Sequence, residues 1–435
     1  MTVTVIGAGL AGCEAAYRLA NEGLFVRLYE MKPHKRSPAH KLDTFAELVC
    51  SNSLKAQRTA SAAGLLKQEM RLLSSLTMEA ADACRVEAGG ALAVDRERFS
   101  AFITQRINAH PRIEVLHEEI VKIPDEGMVI VATGPLTSDA LAADIKEKCG
   151  HETLSFYDAA APIVTADSID KDKVFFAARY DRGEADYINC PFDKEGYERF
   201  WQALCDAQSA ELHEFEKEFF RVYEGCMPIE VMARRGKDTV RYGPMRPVGL
   251  RDPKTGHRPW AVVQLRKENA TGSLYNLVGF QTNLKFGEQK RVFSMIPGLE
   301  NAEFARYGVM HRNTFLDSPR LLDVHCRLKS DPRVLFAGQM TGVEGYIESA
   351  ASGIWAGLTA ARMAAEKPLA APPADTMLGA LLRYISDPET REFQPMGCNM
   401  GLLPPLPEPV RGKPQRYEAL ATRALDAMAV FVSAL

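Results

Sequence analysis

Residues 3–30 read VTVIGAGLAGCEAAYRLANEGLFVRLYE, and no other stretch restricts the fold so severely. Val3, Val5 and Ile6 form a short apolar run suited to a buried parallel strand. The spacing G-x-G-x-x-G follows at once, from Gly7 to Gly12. Cys13–Glu22 then reads as a helix closed by Gly23, and Phe25–Tyr29 as a second strand ending in Glu30. Each glycine has a separate task. Gly7 permits a tight strand-to-helix turn, Gly9 leaves bare backbone for a pyrophosphate, and Gly12 lets the helix pack on the strand. A glycine triplet alone fits many ordinary βα turns. A strand before it, a helix after it and an acid about twenty residues on are the further parts of a dinucleotide fingerprint. The carboxylate of Glu30 suits an unphosphorylated ribose, as in FAD or NAD.

The rest of the chain limits the function classes. With 435 residues it can hold two or three domains with cores of their own. A net charge of −3 excludes a globally basic nucleic-acid binder, so any polyanion surface is a local patch. Nine cysteines without a C-x-x-C pair give no metal-ligand spacing and suit reduced thiols in a cytoplasmic protein. The first strand begins almost at Met1, which leaves no room for a signal peptide, and no apolar run has membrane-spanning length.

Further strands are expected at Ile113–Leu116 and Met128–Ala132, with helices over residues 64–76 and 98–109. Met31–His40 is a basic, Pro-containing loop, either a solvated connection or a cover over the nucleotide. Gly134 ends the strand that runs MVIVATG. Composition shifts near residue 153 toward short strands rich in aromatics and charge, including 174–179, 260–265 and 273–280. A helix is expected over 211–223, and Cys226 follows Gly225 on a turn before Pro228. Residues 231–258 hold eight Lys and Arg against Asp238 and Asp252. This run is either a solvated face or a phosphate-contacting surface with interleaved aromatics. Strand, Ala-Gly turn and small-residue helix recur at Arg333–Gln339 and Tyr346–Met363, which favours FAD over NAD alone. A Pro-rich linker at 367–373 leads to helices expected at 376–385 and 418–432.

The expected architecture is α/β. A Rossmann-like FAD-binding domain of the glutathione-reductase kind, residues 1–152 and 326–366, is interrupted by a mixed α/β insert at 153–325 and followed by a helical tail at 367–435. Flavin disulfide reductases carry two close cysteines near the position of Cys50. Here the next is Cys84, so Cys50 is either a buried inert thiol or a functional one of another kind.

The motifs taken together resemble the bacterial folate- and FAD-dependent tRNA (uracil-5-)-methyltransferases, relatives of the flavoproteins that modify wobble uridines. The resemblance rests on GAGLAGCEAAYRLA at Gly7, ELVCSNSL around Cys50, EGCMPIE around Cys226, YGPMRPVGL at Tyr242, GFQTNL at Gly279 and FAGQMTGVEGYIESAASG at Phe336. It implies bound FAD, NADH or NADPH as reductant, 5,10-methylenetetrahydrofolate as carbon donor, and the T-loop uridine of tRNA as target, with neither metal nor membrane. One departure is MGCNMG at 396–401, where the family pattern has an aromatic before the glycine. The resemblance implies Cys226 as nucleophile toward uracil C6 and Cys50 as the partner thiol, and the two roles are exchangeable at this level. Cofactor contacts are expected from Gly7, Ala8, Gly9, Leu10, Ala11, Gly12, Glu30, Gly134, Gly338, Gln339, Gly345 and Tyr346. Arg234, Arg235, Arg246 and Lys285 are the candidate tRNA contacts. The alternatives are an NAD(P)H-dependent flavin oxidoreductase on a small substrate and a wobble-uridine flavoprotein.

Overall fold

The computed structural model describes residues 1–37, 39–150, 153–159, 161–181, 185–210, 227–269, 271–308, 310–390 and 393–435. Its first sheet grows from the opening motif. β1 (Thr2–Ile6) leads into α1 (Leu10–Asn21) and returns as β2 (Phe25–Tyr29). β3 (Ile113–Leu116), β4 (Met128–Val131), β5 (Arg327–Leu328) and β6 (Asp331–Phe336) complete it. The order is β5-β6-β4-β1-β2-β3, parallel throughout except for the edge strand β5. Strands leave β1 first toward β3 and later toward β6. The carboxyl ends of β1 and β4 therefore flank a switch point, where open α/β sheets form their binding crevice. β4 is buried at every residue, as a strand covered on both faces should be.

α1 begins at Leu10 rather than Cys13, because the last three residues of the glycine motif already form the first helical turn. It packs on the long helix α3 (Tyr346–Ala364), which is buried over most of its length. Small residues make the approach close: a Cβ on Gly353 would lie 2.2 Å from the Ala11 carbonyl oxygen, and one on Gly357 2.9 Å from that of Ala15. Between these helices in sequence, α2 (Ala62–Leu72) is shorter than expected. Ser74 adopts φ 57°, and Ser75 then caps a separate helix, Leu76–Ala83.

A second sheet is antiparallel, in the order Phe175–Phe176, Tyr187–Phe192, Ala261–Lys267, Leu274–Leu277, Ile163–Thr165, Phe304–Arg306. It has its own core around Phe200, Phe280 and Phe293. The strand expected over 174–179 is reduced to Phe175–Phe176, since Tyr180 at φ 59° turns the chain and its N–H bonds the Gly249 carbonyl. An antiparallel ribbon of Thr153–Ala159 with Met310–Leu316 joins this sheet to the first at both crossings. The helix expected over 211–223 lies outside the described residues. Among the described residues, no helix is long and apolar enough to cross a membrane.

The tail returns to the first unit through α4 (Met377–Tyr384) and α5 (Lys413–Ser433). Arg423 on α5 holds the Pro-rich segment by the carbonyls of Pro404 and Pro405, 2.6 and 2.9 Å away. The buried Glu69 carboxyl on α2 accepts the N–H groups of Met377 and Leu378 at 2.7 and 2.8 Å, at the start of α4. Burial pushes the Glu69 pKa up to about 8, against the lowering effect of those two hydrogen bonds. A carboxyl in an unfolded chain titrates near ~4.3. The folded protein thus binds one proton more between these values, and Glu69 makes its full contribution at low pH and loses it as pH rises toward 8. Thermal melts of Glu69→Gln should accordingly depend less on pH between about 5 and 8 than melts of the wild type. An identical pH dependence would show that Glu69 is ionised in the fold.

Candidate functional site

The turn from β1 to α1 assigns its glycines by geometry. Gly7 sits at φ +97°, where a Cβ would meet the Ala132 carbonyl oxygen at 2.8 Å. A Cβ on Gly12 would lie 1.8 Å from the Gly7 carbonyl oxygen, so Gly12 serves helix packing alone. Gly9 differs from both. Its φ is an ordinary −73°, and a Cβ there would find nothing nearer than the Ala132 carbonyl oxygen at 4.0 Å. What Gly9 keeps clear is the cleft itself.

That cleft opens at the carboxyl ends of β1, β4 and β6. Of the positions assigned to the cofactor, Gly7, Ala8, Gly9, Leu10, Ala11, Glu30, Gly134, Gly338, Gln339 and Tyr346 line it. Gly12 and Gly345 do not. Gly345 instead lies against Lys55 and Glu348, with φ +126° at the entry to α3. Glu30 is buried and accepts N–H bonds from Ala8 (2.9 Å) and Lys32 (3.0 Å), which fixes its carboxylate at the rim.

Two helices begin here, α1 behind Gly9 and α3 behind Gly345, and neither has a side-chain cap. Their first-turn N–H groups and positive dipole ends suit an anion. Gly338, at φ +85°, donates its N–H to Ser352 Oγ at 2.7 Å, and that hydroxyl donates in turn to the Ser349 carbonyl. The β6-to-α3 connection is thereby pinned beside the α1 turn. Uncapped helix ends, an open Gly9 and a fixed carboxylate fit a dinucleotide such as FAD.

The Cys50 loop borders this cleft through Val49 and through Tyr346. The Cys50 N–H donates to the Tyr346 hydroxyl at 2.6 Å, and Ser51 N–H reaches the same oxygen at 3.2 Å. Neighbouring Val49 lines the cleft. Burial raises the Tyr346 phenol pKa far above its usual value, and the Cys50 sulfur adds to that. The phenol therefore stays protonated while its oxygen accepts from the two amides. Arginines grip the loop from several sides. Arg306 donates to the Val49 carbonyl at 2.6 Å, and Arg96 to the Leu48 carbonyl at 2.8 Å. Arg266 reaches Ser51 Oγ at 2.8 Å and Asn52 Oδ1 at 3.1 Å, while Arg96 is paired with the buried Glu268. Since Arg266 and Arg306 belong to the second sheet, the Cys50 loop is clamped where the two sheets meet. Spacing in the sequence gives no sign of Arg96, Arg266 and Arg306, because their partners are far away along the chain.

Exposure separates the thiols. Cys13, Cys84, Cys149, Cys190 and Cys326 are buried, and burial raises the pKa of each, that of Cys149 to about 11. Cys50, Cys205 and Cys398 are half-buried. Cys226 lies outside the described residues. Among the described residues, no group of three or more His, Cys, Asp and Glu could hold a metal. The candidate tRNA contacts Arg234, Arg235, Arg246 and Lys285 are all exposed, although Arg234 and Lys285 also bond within the second unit. Arg234 donates to the Cys205 and Ala207 carbonyls at the end of helix Lys194–Asp206. Lys285 Nζ lies 3.2 Å from Gln208 Oε1 in the same region. The basic run is thus partly spent on closing the second unit, with Arg241 stacked 4.0 Å above Trp260.

Known proteins resemble the chain over this whole framework. A family profile described as glucose inhibited division protein A matches residues 2–368. The methylenetetrahydrofolate–tRNA-(uracil-5-)-methyltransferase TrmFO of Heliobacterium modesticaldum is 59% identical over 434 residues, covering 100% of this chain and 98% of the relative. The TrmFO of Lysinibacillus sphaericus is 56% identical over 431 residues, covering 99% and 98%. Among solved structures, GidA of Aquifex aeolicus superposes with a TM-score of 0.72 at 17% identity, over 100% of this chain and 74% of that one. That likeness concerns the fold.

Gly9 and Gly12 offer a test of the cleft. Gly9→Val should yield folded protein whose FAD affinity is at least about tenfold weaker, ~1.4 kcal/mol, because the added methyls enter ligand space. Gly12→Val should fail to fold. Flavin absorbance per chain and circular dichroism distinguish the two, and full flavin occupancy in Gly9→Val would contradict the assignment.

Proposed function

The chain belongs to the family of methylenetetrahydrofolate–tRNA-(uracil-5-)-methyltransferases, and from that footing we propose that it methylates C5 of the T-loop uridine in tRNA. Methylenetetrahydrofolate is the carbon donor and FAD the resident cofactor. The observation that carries this reading is Cys50 beside Tyr346 at the edge of a dinucleotide cleft, in a chain 56–59% identical to such enzymes over its full length.

The chemistry explains why thiols belong beside a flavin cleft. Uracil C5 is a weak nucleophile, because the ring carbonyls draw off its electrons. A thiolate from Cys226 adds to C6 and turns C5 into an enolate carbon, which attacks the folate methylene. Cys50 takes the C5 proton, tetrahydrofolate leaves, and an exocyclic methylene remains on the ring. Hydride addition to that methylene expels the C6 thiolate and completes the methyl group. FAD, reduced by NADH or NADPH, supplies the two electrons when bound. The clamp on residues 48–52 holds the backbone around Cys50 beside the cleft, with the Tyr346 hydroxyl accepting from the loop's amides. Glu30 and the open turn at Gly9 retain the nucleotide end. Arg235, Arg246 and Lys285 offer exposed cations to the tRNA backbone.

Incubation with unmodified tRNA, methylenetetrahydrofolate and NADH should give 5-methyluridine in digested tRNA, and omission of the folate should remove it. Cys226→Ala should abolish methyl transfer, at least about a thousandfold, with FAD still bound. Turnover near the wild-type rate in that variant would overturn the nucleophile assignment. NADH oxidation that ignores both tRNA and folate would point to a flavin oxidoreductase instead.

A further inference from the structure

Cys50 and Tyr346 are joined a second time, a few residues away on the same two segments. Lys55 lies at the far side of the short strand Ser53–Ala56 that leaves the Cys50 loop. Glu348 lies in the first turn of α3, two residues beyond Tyr346. The Lys55 ammonium is 2.6 Å from Glu348 Oε1 and 3.3 Å from the Glu344 carbonyl oxygen. The same Oε1 accepts the Cys398 N–H at 3.0 Å, which brings in the MGCNMG segment of the tail. That segment is itself held by paired backbone bonds, Glu344 N–H to Met396 O and Met396 N–H to Gly342 O, each 2.9 Å.

Several features show that this arrangement is built to be rigid. Glu348 is 1% exposed, so its charge depends on these partners. Desolvation pulls the Lys55 pKa down, yet Glu348 and its neighbours outweigh this and raise it above its ordinary value, so the ammonium keeps its charge. Lys55 has φ 64°, a backbone region that a lysine occupies only when its surroundings enforce it. The enforcing group is Lys67 on α2. Its buried ammonium donates to the carbonyls of Leu54 and Ala56, both at 2.6 Å, one on each side of Lys55. Gly345 is required at the crossing point, since a Cβ there would lie 2.6 Å from Lys55 Nζ and 2.3 Å from Glu348 Oε2.

We propose that Glu348 is a positioning residue for Cys50: its ion pair with Lys55, closed by the Cys398 N–H, fixes the Cys50 loop against the start of α3. The Tyr346 hydroxyl holds the loop at residues 50 and 51, and the ion pair holds it at 55. The arginines hold residues 48–52 toward the second sheet, and the ion pair adds a separate attachment toward α3 at residue 55, so the segment is fixed against both units. The tail thereby acts on the cleft from a distance, without touching cofactor or substrate. This inference rests on Cys50 as a reacting thiol of the proposed function.

The test uses the FAD-loaded full-length protein. Glu348→Gln keeps the side-chain shape and an oxygen for the Cys398 N–H while removing the ion pair, and Lys55→Met removes it from the other side. Either variant should raise the rate of Cys50 alkylation by iodoacetamide, read by peptide mass spectrometry, by about tenfold, the scale of one lost charge-assisted hydrogen bond. Flavin content and KM for tRNA should stay within about twofold, while kcat falls about tenfold or more. Lys55→Arg, which retains the charge, should restore most of the protection of Cys50. An unchanged alkylation rate in a folded variant overturns the proposal, even where the melting temperature drops. If one variant does not fold, the other reads the same quantity. Should alkylation respond as stated while Cys50→Ala keeps full methyl transfer, the positioning role stands and the reading of Cys50 as a reacting thiol fails.

Discussion

The backbones of α1 and α3 touch, and the site follows from that contact. Gly353 and Gly357 present bare Cα atoms to Ala11 and Ala15, and a Cβ on Gly353 would lie within 2.2 Å of a carbonyl oxygen. Such proximity aligns two helix starts that are more than three hundred residues apart in sequence. Their positive ends lie together without side-chain caps, which is unfavourable in isolation. At α1 a pyrophosphate would satisfy the exposed N–H groups, while at α3 the buried Glu348 carboxylate already stands in the first turn. A dinucleotide thus completes the local electrostatics of the fold as well as filling its cleft.

The same contact determines what stands beside the cofactor. Because α3 starts at the cleft, Tyr346 arrives where the Cys50 loop passes, and Glu348 arrives opposite Lys55. The arginine clamp then ties this loop to the second sheet. Arg96, Arg266 and Glu268 are all substantially buried, and burial acts on their ionisation: it lowers the pKa of Arg266 and raises that of Glu268, which its arginine neighbours hold down. Removing one member of such a set leaves an unpaired charge in a poorly solvated place, which typically costs ~3–5 kcal/mol. The clamp therefore resists loosening far more than exposed ion pairs such as Arg27–Glu114 do.

Local features of the fold were legible in the sequence, and long-range ones were not. β2 and β3 fall at the residues expected, because a short apolar run between turn signals carries its own boundaries. Gly7 to Ala11 and Glu30 meet at the cleft for the same reason, since the glycine motif, its strand and its acid are contiguous, whereas Gly134, Gly338, Gln339 and Tyr346 reach it from distant segments. Boundaries failed where a single backbone conformation intervened, at Ser74 in the helix over 64–76 and at Tyr180 in the strand over 174–179. Arg234 reads as a free surface cation, yet its guanidinium binds carbonyls that only the folded second unit brings near. Lys55, Arg96, Arg306 and Glu348 look like ordinary charged residues in one dimension. Their roles arise from partners up to about three hundred positions away, and no periodicity encodes them.

The central claim is that one flavin site spans both helix starts with Cys50 at its reactive end. A crystal structure of the FAD complex tests it most directly. The account predicts the pyrophosphate on the first-turn N–H groups behind Gly9, the ribose at Glu30, and the isoalloxazine ring against the start of α3, within van der Waals reach of the Cys50 loop. A ring directed away from Tyr346 and Cys50, or a pyrophosphate bound elsewhere, would contradict it.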